Sequence, residues 1–100
     1  MLSRGQLESL ICSYDIFLAD REIPIGEPFN KKLKFQGSDF HALASCRGTL
    51  AKIKELISGS EENLREEDFQ RAIIWFGFVQ GILYQTGCYS IEQLVDHTSD

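Results

Sequence analysis

The sequence predicts a mostly α protein: a small helical bundle of three main helices plus a short C-terminal helix, with an extended arm or short β-hairpin at about residues 21–37. Three observations predict it. Apolar residues recur three and four apart over three long stretches, the period of a helix that buries one face. Ser or Asn followed three residues later by Gln or Glu marks helix starts at Ser3 with Gln6, Asn63 with Glu66 and Ser90 with Gln93, the spacing of a capping box. Pro24, Gly26, Pro28 and Gly37 crowd the one stretch where the period fails, and helix interiors tolerate both residue types poorly.

In the first helix, residues 4–20, Leu7, Leu10, Ile11, Tyr14, Phe17 and Leu18 make one apolar stripe. After it, Ile23 and Ile25 alternate with polar residues or proline, and Leu33 and Phe35 alternate with Lys32, Lys34 and Gln36. Period two predicts two short extended pieces, which fit a poor hairpin around Glu27–Asn30 or an ordered arm equally well. Ser38 can cap the second helix, which runs to about Ser58 with Gly59 as its stop. Its seam is Leu43, Cys46, Leu50, Ile53 and Ile57, with Lys52, Lys54 and Glu55 off the seam. Glu61, Glu62, Glu66, Glu67 and Asp68 crowd the start of the third helix. Carboxylates favour the positive end of a helix dipole, so this cluster reads as a well-capped start rather than a metal or acid–base site. Ser90 begins the fourth helix, Ile91 to about His97, whose Ile91, Leu94 and Val95 can fold back on the third, while residues 98–100 should fray.

The third helix, about residues 64–86, carries most information. Phe69, Ala72, Ile73, Phe76, Val79 and Leu83 form one stripe, and Ile74, Trp75, Phe78 and Ile82 form a second. Covering both would use nearly all the apolar surface of the other helices, so part of this surface is expected to meet a second copy or a partner. Gly77 and Gly81 stand four apart; each costs about 1 kcal/mol against alanine in a helix interior, a cost usually offset by close approach of another backbone. Gln80 is the one polar residue mid-run and needs hydrogen-bond partners if buried, since an unpaired amide costs about 1–3 kcal/mol. Gly87 ends the helix.

The chain of 100 residues is read as a single helical domain, 1–100, of ordinary globular composition, with 43% hydrophobic and 25% charged residues. Its net charge of −5 disfavours direct nucleic-acid binding, which needs clustered positive surface. Cys12, Cys46 and Cys88 form no CxxC or CxxH pair; they are expected to be reduced, half-buried thiols, not zinc ligands. MLSRGQLESL holds no signal-like apolar run, and the longest apolar run, Ala72 to Tyr84, is interrupted by Gln80 and is shorter than a membrane span. A soluble, cytoplasmic protein is expected.

Catalysis needs a nucleophile, a base and an orienting group, or a metal cage. His41 and His97 are the only histidines; both read as surface or capping residues. Cys46 lies on the helix seam, and no phosphate-binding G-x-x-x-x-G-K-[ST] occurs. The sequence therefore predicts no enzyme, cofactor or metal, and no catalytic residue. Lys31, Lys32 and Lys34 interleaved with Leu33 and Phe35 make a basic and aromatic patch. Lysine keeping a strand edge soluble explains it as well as binding does. Arg47, Lys52 and Lys54 add positive charge to the second helix, and Arg65 and Arg71 are expected to make intrahelical pairs.

The segment WFGFVQGILYQTGCYSIEQLVDH, residues 75–97, resembles a tail of small bacteriophage-encoded or prophage-encoded proteins of unknown function. The matching residues are Trp75, Gly77, Phe78, Gln80, Gly81, Gly87, Tyr89, Ser90, Ile91, Leu94 and His97. The resemblance implies a phage origin, and hence host cytoplasm, and brings no activity or site with it. Small acidic phage proteins without catalytic motifs often occupy a host protein.

The leading expectation is a non-enzymatic accessory protein, a homodimer through the third helix, that modulates or inhibits a host nuclease, defence complex or other nucleic-acid enzyme. Its partner-binding residues would be Trp75, Gly77, Phe78, Gly81 and Ile82, with Lys32, Lys34 and Phe35 from the arm. The alternative is a small-ligand or nucleotide-sequestering protein with sites between protomers. There Trp75, Tyr84 or Tyr89 would stack on a base, and Arg47 or Lys52 would hold phosphate.

Overall fold

Ser3, Ser38 and Ser90 each accept a hydrogen bond from the amide three residues on, and a helix begins directly after each one. The structure, a computed structural model, describes residues 2–29, 38–58 and 64–99. Its helices are α1 (Arg4–Asp20), α2 (Asp39–Ile57), α3 (Glu66–Gln85) and α4 (Ile91–Thr98), the small bundle that periodicity predicts. The capping boxes at Ser3 and Ser90 are complete, since Gln6 and Gln93 return a side-chain bond to the cap amide. The third expected box is not seen: Arg65 stands at the N-cap of α3 without a side-chain cap bond, and Asn63 lies outside the described residues.

The core is the meeting of the predicted stripes. Leu7, Ile11, Tyr14 and Leu18 of α1, Cys46, Leu50, Ile53 and Ile57 of α2, and Ala72, Phe76, Val79 and Leu83 of α3 are buried in one cluster. Each large side chain so enclosed contributes about 1.5–3 kcal/mol. α2 is central, packing on both α1 and α3. Both long outer helices end the same way. The amides of Glu22 and Ile23 reach back to Ala19 and Leu18, and those of Gly87 and Cys88 to Tyr84 and Leu83, with Glu22 and Gly87 at positive φ; this double closure is the Schellman motif.

Beyond α1 the chain does not coil away. Ile23 to Phe29 lies across α2 as an ordered arm: the Gly26 amide donates to the Ala44 carbonyl (2.8 Å), and the Phe29 amide to Thr49 Oγ1 (3.0 Å). Among the described residues no strand forms. The extended piece at 23–29 thus finds its partner on a helix, while the second expected piece, with Lys32, Lys34 and Phe35, lies outside the described residues. Arg47 locks the junction: its guanidinium holds both Asp15 carboxylate oxygens (2.8 and 3.3 Å) and the Ile23 carbonyl (2.8 Å).

Candidate functional site

Ile74, Gly77, Phe78 and Gly81 step by three, one and three along α3, which puts them on one side of the helix. That side faces away from the bundle. Ile74 is 60% and Phe78 57% exposed, and a Cβ on either Gly77 or Gly81 would meet nothing within 4 Å. Tyr84, one turn on, is also exposed. From Ala72 to Ile91 the chain holds no charged residue. The outer face of α3 is therefore an uncharged, partly apolar strip with a shallow notch at the two glycines. Among the described residues no other backbone comes close enough to offset these glycines. Trp75 and Ile82, predicted in the same stripe, are half-buried.

Trp75 connects this face to a second feature. Its ring lies 5.7 Å from Phe78 on one side and 6.1 Å from Phe29 of the arm on the other. Beneath Phe29 and Trp75 opens a cleft of about 300 Å³, walled by Pro28, Thr49, Ile53 and Leu56. Lys52 of α2 and Arg71 of α3 also line it. Lys52 is shared with Glu55 at 3.7 Å in an exposed pair, the kind of contact worth little in water. Arg71 makes no ion pair among the described residues, contrary to the intrahelical pair expected of it; Arg65 does make its expected pair, with Asp68 at 3.2 Å. The residues of this cleft are spaced for it in the sequence: Thr49, Lys52, Ile53 and Leu56 step by three, one and three on α2, and Arg71 precedes Trp75 by one turn of α3. Only the docking of the arm, which local periodicity does not encode, reveals that they share a wall.

A third cluster joins α1, α3 and α4. Tyr14 stacks parallel on Phe76 at 5.4 Å and meets Tyr89 and His97. Gln80 Nε2 donates to its hydroxyl (3.2 Å), and the hydroxyl also shares a hydrogen bond with His97 Nδ1 (2.8 Å). Gln80 thus finds the partner its burial requires. His97 is not the surface or capping residue that the sequence suggests: it is half-buried, edge-on to Tyr89 at 4.9 Å. Burial raises the Tyr14 pKa above its ordinary value, partly offset by the Gln80 hydrogen bond. At 1% exposure the hydroxyl is closed to a substrate, so the cluster reads as an internal polar tie. His41 serves the cap of α2, its ring nitrogen 3.2 Å from Ser38 Oγ.

Of the residues expected to hold a nucleotide, Arg47 is spent on Asp15 and Ile23, and Tyr89 packs against Phe17 and Tyr14. The thiols differ from one another rather than all being half-buried: Cys12 is exposed, Cys88 half-buried and Cys46 buried. Among the described residues no group of three His, Cys, Asp or Glu is placed to hold a metal ion, and no helix is long and apolar enough to cross a membrane. No family model, curated protein or solved structure matches the chain.

Proposed function

We propose that this protein works by docking another protein rather than by catalysis, as a phage-type accessory factor that modulates or inhibits a host protein such as a nuclease, a defence complex or another nucleic-acid enzyme. One observation carries the docking: Ile74 and Phe78 stand out to solvent beside two open glycines on an uncharged face. Single exposed apolar residues are ordinary on any surface. Here they flank a notch where a partner backbone can approach closely, which gives the two helix-weakening glycines a use. The phage setting rests on the resemblance of residues 75–97. The homodimer expected from the sequence would use the same face, which bears no charge to repel its like, and would compete with a host protein there.

The test is affinity capture from host lysate with the wild type, Ile74→Asp and Phe78→Asp, alongside light scattering of each. A host protein held by the wild type and released by both variants supports the reading. Equal retention by all three, or a sharp monomer that retains nothing, overturns it.

A second reading, a small-ligand or nucleotide-binding protein, has the cleft at Trp75 and Lys52 in its favour, although its walls come from one chain and not from two protomers as the sequence suggests. A thermal-shift panel of nucleotides tests it, because a ligand that binds only the folded state raises the melting temperature.

A further inference from the structure

We propose that the cleft between the arm, α2 and α3 is a single-protomer site for a small amphipathic anion: an apolar body carrying one carboxylate or phosphate head. The inference does not depend on what the outer face of α3 docks. The body of the site is apolar, formed by Phe29, Ile53, Leu56 and Trp75. Its volume, about 300 Å³, falls at the lower end of small-molecule sites. Among the described residues, the charged groups that line it are Lys52 and Arg71, both cations, in a chain whose net charge is −5. Two positive side chains lining one apolar hollow of an acidic protein select an anion by charge complementarity. Arg71 has no carboxylate partner among the described residues and Lys52 only an exposed one, so neither must break a strong pair to engage a ligand.

The same geometry argues against a nucleoside polyphosphate. Such ligands are held by glycine-rich loops whose successive amides cradle the phosphates. Among the described residues that line the cleft there is no glycine, and Thr49 Oγ1 accepts from the Phe29 amide. The hollow also belongs to one subunit: arm, α2 and α3 all come from the same chain. A monoanion with an apolar tail buries the tail against Trp75 and leaves its head at Lys52 and Arg71, matching both halves of the site.

Trp75 is the only tryptophan, so its emission reports the cleft directly. The probes are octanoate and octyl phosphate, with 1-octanol and octylammonium as neutral and cationic controls, all well below micelle formation, and adenosine monophosphate and inorganic phosphate as polar arms. The expected result is a saturable blue shift with octanoate or octyl phosphate, at least about tenfold tighter than with octanol. That advantage disappears in Lys52→Gln/Arg71→Gln, while octanol binding is unchanged. The relative strength of the two acids tells a carboxylate site from a phosphate site. Because Lys52 and Arg71 lie outside the core, the double variant should fold, which circular dichroism checks. Gly81→Ala, on the outer face of α3 and away from Trp75, should leave octanoate binding intact and so separates this site from the docking face. Octanoate and octyl phosphate binding no better than octanol, an unchanged affinity in the double variant, or a response to adenosine monophosphate alone overturns the proposal.

Discussion

The carbonyl of Gly26 occupies the space that a side chain on Gly48 would need, and Gly26 in turn has the Ala44 carbonyl carbon 2.8 Å from where its own Cβ would lie. Two glycines thus make the crossing at which the arm lies down on α2, with the Gly26 amide bonded to the Ala44 carbonyl. Gly48→Ala should lift the arm and destabilise the fold by about 1–3 kcal/mol, the range for forcing a methyl into a filled space. Urea unfolding measures the loss. A change below about 0.5 kcal/mol, the size of ordinary surface effects, would show that the arm is not held there.

Gly77→Ala and Gly81→Ala should act with the opposite sign. Nothing lies within 4 Å of a Cβ at either position, so each alanine should stabilise the chain by up to about 1 kcal/mol through helix propensity. If the outer face of α3 admits a partner backbone, the same variants lose that partner while melting higher. Stability and capture measured on one preparation separate the two effects; higher melting with capture intact removes the glycines from the interface.

The helix ends offer a matched pair. At the close of α3 the left-handed position is Gly87, with φ 80, and at the close of α1 it is Glu22, with φ 61. An L side chain in that region costs about 1–2 kcal/mol, against a smaller entropic gain from restricting the unfolded chain. Glu22→Gly should therefore stabilise by up to about 1 kcal/mol, and Gly87→Ala should destabilise by about as much. Thermal unfolding of both variants checks the pair of signs.

These cases also show what the sequence discloses. Helix positions, two complete capping boxes and the buried stripes of α1, α2 and α3 follow from patterns confined to a few residues, where spacing alone fixes the outcome. The partners across long separations do not. The penalty for a mid-helix glycine points to close backbone approach, yet among the described residues that approach occurs at Gly48 and not at Gly77 or Gly81, because the choice lies with the arm. In the same way Arg47 reaches Asp15, and His97 reaches Tyr14; neither pairing leaves a local trace, so one looks like a free cation and the other like a surface or capping residue. The exposed half of the candidate surface was legible, since the second stripe of α3 exceeds what the other helices cover. The cleft was not, since it needs the arm.

Removal of the Arg47 guanidinium tests the junction it closes. Arg47 is 14% exposed at its side chain and holds two carboxylate contacts and one carbonyl. Hydrogen bonds to charged groups contribute about 1.5–3 kcal/mol each; losing the partner costs most at the Ile23 carbonyl, since water reaches the Asp15 carboxylate, 41% exposed. Arg47→Ala should destabilise by about 2–3 kcal/mol. Arg47→Lys should recover only part of this, because an ammonium cannot span both oxygens of Asp15 and a carbonyl. Full recovery with lysine would mean that charge alone, not the fork, ties α1 to the arm.

Alkali should unfold this protein from the core outward. Burial, with a smaller contribution from Cys88, pushes the Cys46 thiol from its ordinary 9.0 up to about 12, and burial likewise raises Tyr14. Both groups bind their protons more tightly folded than unfolded. The stability they contribute is thus complete below pH 9 and is lost as pH climbs toward 12. For Cys46 the full difference is on the order of 4 kcal/mol. Urea midpoints should be flat near neutrality and fall steeply above pH 9, and Cys46→Ala should flatten that fall while lowering the neutral-pH midpoint through the cavity it leaves. A thiol reagent at pH 8 supplies the independent readout: exposed Cys12 should react at once and Cys46 only on unfolding, since the thiolate is the nucleophile. Prompt labelling of Cys46 in the native protein would show that the thiol is neither enclosed nor held protonated, and the alkaline prediction would go with it.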